Sequence, residues 1–480
     1  MKYRHALRAL SLCLSLAACG SPAASDDDGG TEPDARAPSD ASTMGDASTS
    51  DASTLIDAGM LGDAAGADAG RPASCGDDRC GPNDSCTTCP EDCGSCATTP
   101  PLTTRGIEIV LSAEEIVWRA PDEQCASLDL PDTNAHAMRI DGRIVMMSGN
   151  APVTFIMEGA DFDSLERRCT PALTSGDTVT AETYDHQEWI AATYYDGTTV
   201  HALVHDEYHD PSALNCRPGD TSPRNPCWWN SITYAGSADG ARTFRQPTAP
   251  THAIAPPPMR WDPTPPDGTR GAPPPHGYLE PSNIVLAPDG QYYSLFRSMP
   301  SRTDQTISGT CAMRTSDLGD PSAWRFWTGT AWDGVFIDPY TRPVGETVPT
   351  CAFVSNDRIR SMHGSLTYNT FLNAWLLVGG EVFAASGSLV CGVYASTSTD
   401  FIEWSEPVLL RTSVAPWLAE CRSPGVNIEA YPSLIDHEDD SANFERTGES
   451  PYLYFMRWHS SGSEDRDLVR QRITFVRREP

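Results

Sequence analysis

Carboxylates, imidazoles and guanidinium groups recur at two kinds of place in this sequence: just before apolar, strand-like runs, and just after the return arms of the hairpins that those runs begin. Before the runs stand Asp132, Asp185 with His186, Glu280, His363 and Glu429. After the returns stand Asn150, His205 with Glu207, Arg297, Glu381, and Arg457 with His459. Acids and bases in this mixture suit hydrolysis of a glycosidic bond, which needs one carboxyl group neutral enough to protonate the leaving oxygen and a second that is ionised. Crowding supplies both states, because neighbouring carboxylates disfavour one another's ionisation. Trp228, Trp229 and Tyr208 fall near the same positions and can either stack on a sugar face or pack in a core. Other chemistries lack their residues: there is no Gly-x-Ser-x-Gly elbow, no His-Glu-x-x-His and no phosphate-cradling glycine loop. His186, His205, His363 and His459 are of the type that ligates metals, but strand-end histidines commonly serve as hydrogen-bonding groups, and no metal is assigned to them.

The elements that must position these groups are strands. Asp141-Gly142, Asp196-Gly197 and Asp289-Gly290 each sit between two apolar runs, the strongest short-range signal for a hairpin. The predicted hairpins cover Ala135–Ser148, Trp189–His205, Asn283–Arg297, Ser365–Gly379 and Tyr431–Trp458. Further strand-like runs follow, such as Ser231–Ala235, Gly309–Met313 and Cys391–Ala395. Each leads into a punctuating turn with an aromatic soon after, as in Ser237-Ala238-Asp239, Ser316-Asp317 and Ser398-Thr399-Asp400; Gly159-Ala160-Asp161 is the fourth copy. A chain this long exceeds the usual single core unless its architecture repeats. The predicted fold is all-β: a five-bladed β-propeller over residues 105–480, with Ile107–Trp118 closing the ring against the last blade. A β-sandwich, or two separate β-domains, would use the same short strands and turns. In a propeller, the start of an inner strand and the return of its hairpin lie on one face of the ring, so the charged residues above converge on one funnel.

Two segments carry a likeness. Leu130-Pro131-Asp132-Thr133 with Arg139–Arg143, and Leu279-Glu280-Pro281-Ser282-Asn283-Ile284 with Asp289–Tyr293, resemble the five-bladed propeller glycoside hydrolases, the superfamily of arabinanases, xylosidases, invertases and levansucrases that includes glycoside hydrolase family 43. That resemblance implies an Asp opening blade one as base or nucleophile, here Asp132, and a Glu opening the inner strand of blade three as general acid, here Glu280. The family's third acid, in blade two, matches Asp185, with His186, Glu188 and Glu207 as close competitors. The rim for binding sugar would then comprise His186, His205, Tyr208, Asn283, Arg297, His363, Glu429 and Arg457. A second likeness, to bacterial secreted proteins sharing Leu-Pro-Asp, His-x-Glu-Tyr and Ala-Tyr-Pro-Ser (Leu130–Asp132, His205–Tyr208 and Ala430–Ser433), brings no activity with it. A glycan- or protein-binding propeller without catalysis, or a polysaccharide lyase, is the alternative function.

The chain before the propeller speaks of export. Lys2, Arg4 and Arg8 precede a short apolar run ending in Leu16-Ala17-Ala18-Cys19, the layout of a lipoprotein signal over residues 1–18 with Cys19 as the lipidated residue. No Asp follows Cys19, so the expected location is the bacterial cell envelope, anchored by lipid, at the outer membrane. Residues 19–74 are rich in Asp, Ala and Ser and cannot bury a core, which predicts a disordered acidic linker. Cys75, Cys80, Cys86, Cys89, Cys93 and Cys96 then form a small disulfide-rich module over 75–96, with zinc on the two Cys-x2-Cys pairs as an alternative. Calcium on Asp77, Asp78, Asp84 or Asp92 is a further alternative; otherwise no cofactor is expected. Cys125, Cys169, Cys216, Cys227, Cys311, Cys351, Cys391 and Cys421 make an even set suited to an oxidising compartment, with Cys216–Cys227 one readable pair. A formal net charge of −31 argues against nucleic acid as a partner. The expected partner is a carbohydrate polymer, met by a monomer that touches the membrane only through its anchor.

Overall fold

The computed structural model of the protein describes residues 106–149, 152–176, 178–210, 228–262, 276–301, 304, 306–385, 388–416, 427–459 and 465–477. The signal, Cys19, the acidic linker, the module over 75–96 and Cys216, Cys227 and Cys421 lie outside the described residues, as does Asn150.

Strand β1 (Ile107–Trp118) is followed by five antiparallel meanders. Blade I holds β2 (His136–Ile140), β3 (Arg143–Met147), β4 (Val153–Gly159) and β5 (Glu166–Thr174). Blade II holds β6 (Gln187–Tyr195), β7 (Val200–His209), β8 (Trp228–Ser237) and β9 (Ala253–Ala255). Blade III holds β10 (His276–Leu279), β11 (Val285–Leu286), β12 (Tyr292–Met299), β13 (Gly309–Thr315), β14 (Arg325–Phe326) and β15 (Gly334–Val335). Blade IV holds β16 (Ser365–Asn369), β17 (Ala374–Ala385), β18 (Ser388–Ser398) and β19 (Val408–Thr412). Blade V holds β20 (Glu429–Ile435), β22 (Tyr452–Trp458) and β23 (Arg466–Arg477), while β21 (Arg446–Thr447), from its long connection, pairs with β16 of blade IV. As the sequence predicts, β1 completes blade V by pairing with β23, from Ile107 opposite Arg477 to Trp118 opposite Leu468.

Side-chain parity explains why these runs are apolar throughout rather than alternating. Successive residues of a strand point to opposite faces, and each blade is buried on both. On β3, Ile144 and Met146 pack toward blade V while Val145 and Met147 pack toward blade II. Trp375 and Leu377 of β17 face blade III, and Leu376 and Val378 face blade V. Five apolar clusters result, one between each pair of consecutive blades, and the fifth joins blade V back to blade I through Tyr454, Met456, Ala137 and Ile144. The ring is therefore closed by packing as well as by the β1–β23 ladder.

The punctuating turns serve the blades in a common way. Asp239 accepts from the amides of Arg242 and Thr243 and from the Ser237 hydroxyl, and Asp400 accepts from the amides of Ile402 and Glu403. The aromatics that follow, Phe244, Trp324 and Trp404, are buried. Disulfides join Cys125 to Cys169 and Cys311 to Cys351, and Cys391 is also disulfide-bonded.

Two details differ from the regular pattern. Blades II and III share one sheet, because β8 pairs in parallel with β10, His276 opposite Trp229 and Gly277 opposite Asn230. Gly277 permits this at φ +108°, since a Cβ there would lie 2.2 Å from the Asn230 carbonyl oxygen. The inner strand of blade III is also split: Glu280, expected to open it, stands instead in the break between β10 and β11, both of which pair with β12. Pro281, which carries no amide proton, follows at that break.

Candidate active site

Strand β7 supplies the centre of the site. Its alternation sends His205, Glu207 and His209 to the face toward blade III and Asp206 to the face toward blade I. Glu207 accepts from Nε2 of His205 at 3.1 Å through one oxygen and from Nε2 of His209 at 3.1 Å through the other. Burial raises the carboxyl's pKa, but these two donors outweigh it and bring Glu207 down to about 2, so it is ionised.

His205 is 2% exposed and bonded at both ring nitrogens. Its Nδ1 accepts the backbone amide of Glu280 at 3.0 Å. Burial pulls its pKa down and the carboxylates of Glu207, Glu280 and Asp206 pull it up, for a net rise. The Glu280 amide nevertheless needs the Nδ1 lone pair, and an imidazolium has none to offer. The ring is therefore neutral, with its single proton on Nε2, facing Glu207.

Glu280 occupies left-handed backbone at φ +31°, a conformation uncommon for a residue with a Cβ. Its side chain lies 3.8 Å from Nε2 of His363. The other nitrogen of that ring, Nδ1, contacts the Ser361 carbonyl at 2.5 Å. The Ser361 hydroxyl and amide both donate to Glu381, at 2.6 and 3.2 Å. Arg297, on β12 opposite Leu279, is held below its ordinary pKa by burial, against the pull of Glu381 and Glu280, and bonds the Ser308 hydroxyl at 3.2 Å.

Asp132 comes from the segment before β2, where its amide donates to the Ser148 carbonyl at 3.0 Å. Its carboxylate is paired with Arg466, the first residue of β23, whose guanidinium also lies 4.6 Å over the Trp458 ring. Burial pushes the Asp132 pKa up; Arg466 opposes this, while the negative charges of Glu280 and Glu207 add to it, leaving the group at about 6. The Tyr431 hydroxyl donates to Asp132 as well. Tyr431 sits at φ +55° in a bulge of β20 between Ala430 and Ser433. Burial and the surrounding carboxylates push its pKa far up, so it stays neutral and acts as a donor.

The expected residues thus separate into groups. Asp132, Glu207, Glu280, His205, Arg297 and His363 come together. Asp185 belongs elsewhere: with Glu188 and Asp206 it forms a buried acidic group on the opposite face of β6 and β7. The His186 amide donates to Asp206 at 2.8 Å, and its ring stacks edge-on against Tyr208. Tyr208 is 5% exposed, donates to the Val179 carbonyl at 3.0 Å and packs with Tyr184 and the fully buried Trp229, as core aromatics do. Asn283 ties blade III to blade IV, its amide group bonding the carbonyl and the amide of Leu366 at 2.6 and 2.7 Å. Glu429 and Arg457 pair with each other and with Glu114 and Arg411, in a network formed by β1, β19, β20 and β22. Arg466, Tyr431 and His209 are missing from the sequence reading. Alternation along His205-Asp206-Glu207-Tyr208-His209 was the available signal for His209; Tyr431 and Arg466 carried none, since a bulge and a strand start decide where they point.

No family model and no curated protein matches the chain. Among solved structures, a thermostable family-43 glycoside hydrolase aligns with TM-score 0.40 and 10% identity, over 76% of this chain and 97% of that one. An endo-arabinase from Bacteroides thetaiotaomicron aligns with TM-score 0.37 and 11% identity, over 74% and 96%. A family 117 glycoside hydrolase from the marine bacterium Zobellia galactanivorans aligns with TM-score 0.41 and 9% identity, over 77% and 90%. These similar structures are glycoside hydrolases. Likeness at this level assigns no activity to the chain, whose chemistry follows from its own residues.

Proposed function

We propose that the protein is a glycoside hydrolase acting on a polysaccharide or oligosaccharide, held at the bacterial surface through Cys19. The observation that carries this reading is the convergence of three carboxylates from three successive blades, Asp132, Glu207 and Glu280, each only partly accessible, with side-chain exposures of 18, 13 and 20%. In this reading Asp132 is the base or nucleophile, ionised above about pH 6 and oriented by Arg466 and Tyr431. Glu280 is the proton donor to the leaving oxygen, with His363 beside it. Glu207, held ionised by two imidazoles, supplies a fixed negative charge that favours retention of a proton by its neighbours and opposes the positive charge developing on the sugar.

Glu280→Gln tests the assignment on the purified chain against a panel of plant and microbial glycans, reading reducing ends. The expected result is a fall in turnover of about 10²–10⁴-fold with the fold retained. Undiminished turnover removes Glu280 from the mechanism. Glycan binding with no product released by the wild-type chain makes the propeller a binding module instead.

A further inference from the structure

The His205 side chain joins the two acids that the proposed reaction would use differently. It lies on β7 of blade II, yet one of its bonds crosses to blade III. The Glu280 amide reaches Nδ1 at 3.0 Å, and Nε2 meets Glu207 at 3.1 Å. Glu280 stands in a break of its own strand with left-handed backbone, so the β-ladder alone does not fix its amide. The imidazole supplies that amide with a partner. A neutral imidazole has one lone pair and one proton, and both are committed here, in opposite directions.

We propose that His205 is a two-ended positioning residue, which fixes the backbone of Glu280 with its lone pair and the carboxylate of Glu207 with its proton. This rests on the glycosidase reading for its catalytic consequence, but not for its geometry. One ring then bears on both the placement of the acid in blade III and the charge of the acid in blade II. Other groups bear on Glu207 too: His209 on the same strand, which donates to its second oxygen, and Asp132, Glu280 and Tyr431 from the facing blades. His209 remains when His205 is replaced, so Glu207 loses one donor and keeps the other.

Two substitutions separate the two ends. In His205→Asn, the side-chain oxygen stands near the place of Nδ1, keeping the Glu280 amide bond and releasing Glu207. In His205→Gln, the side-chain nitrogen stands near the place of Nε2, keeping Glu207 and releasing the amide. With the full chain carrying ¹³C-labelled glutamate carboxyls, and Glu207→Gln to assign the resonance, His205→Asn is expected to raise the Glu207 titration by about one pH unit, while His205→Gln leaves it near the wild-type value. In kinetics, His205→Gln is expected to lower kcat by about 10²-fold with KM within about twofold, the signature of a displaced acid rather than a lost subsite. A Glu207 titration in His205→Asn identical to wild type overturns the proposal. So does wild-type kcat in His205→Gln, or a fall of the same size in both variants with KM rising in step. If the wild-type chain hydrolyses no glycan but His205→Asn still shifts the Glu207 titration, the positioning role stands and the glycosidase reading falls.

Discussion

Two clusters of ionised groups gather acids and cations in this propeller, and they are built on opposite principles. In the knot formed by Glu114, Glu429, Arg411 and Arg457, two carboxylates meet two guanidinium groups, and the bonds close on one another at 2.6–3.1 Å. Charge is balanced locally, and the network joins β1, β19, β20 and β22. In the candidate active site, Asp132, Glu207 and Glu280 face each other with Arg466 committed to one acid and the rings of His205 and His209 to another. Charge there is left unbalanced, and Asp132 is held at about pKa 6, chiefly by burial, with the charges of Glu280 and Glu207 adding to it against Arg466. A balanced cluster stabilises; an unbalanced one stores a proton near neutral pH, which is what acid–base chemistry requires.

The contrast can be broken from either side. The largest effect belongs to the unbalanced cluster: Asp132→Asn is expected to lower turnover by about 10³-fold or more with a melting temperature close to wild type, measured by reducing-end release and calorimetry. Activity that survives this change would make Asp132 a structural partner of Arg466 and nothing more. In the balanced cluster the prediction is reversed. Arg411→Met keeps the stem over Phe455, where the guanidinium now lies at 4.2 Å, but leaves the 2%-exposed Glu429 with one cation fewer. A loss of about 2 kcal/mol in urea unfolding, with turnover unchanged, is expected.

A finer test concerns pH. If Asp132 must be ionised, kcat/KM falls as pH drops below about 6. Removing a neighbouring negative charge by Glu207→Gln lowers the Asp132 pKa, so that acidic limb moves to lower pH; a limb that stays fixed would separate the limb from Asp132. The smallest effect lies one residue from Glu207, on the other face of β7. Asp206, fully buried, is raised from 3.8 to about 6, chiefly by burial, with Asp185 adding to it. Below pH 3.8 the group is protonated in folded and unfolded chain alike. As pH rises from there to about 6, the unfolded chain releases its proton first, so this group's contribution to stability declines. Asp206→Asn is isosteric and keeps an acceptor for the His186 amide. It is expected to match wild type in urea unfolding at pH 4 and to exceed it at pH 8 by on the order of 1 kcal/mol.

That pair of neighbours also shows how far the sequence can be read. The blades were legible because Asp-Gly turns and long apolar runs are local signals, and Asp132 and Glu280 were legible because they fall in recognisable segments. Within β7, however, Glu207 and Asp206 look alike in sequence and meet opposite environments, since a strand turns each successive side chain to the other face. The blade-two acid was expected at Asp185 with Glu207 as a competitor; their geometry distinguishes them, because only Glu207 shares a face with His205 and Glu280. Tyr431 reaches Asp132 through a bulge, and Arg466 through its place at the head of the last strand. Neither bulge position nor ring closure is a property of the neighbouring residues alone. Glu188 shares Asp206's face: it is 1% exposed, its Oε2 has no hydrogen-bond partner among the described residues, and burial and Asp206 push its pKa well up.

The ladder between β1 and β23 has a further consequence. The first and last strands of the propeller fasten to each other, so neither end can peel away without unzipping the same seam. Just beyond that seam, at the head of β23 and opposite Trp458, stands Arg466, clasped to Asp132. The ladder that keeps the ring shut and the cation that pairs with Asp132 are thus carried on one strand, at its two ends, so fraying that starts at the Ile107–Arg477 end must run the length of β23 before it loosens Arg466.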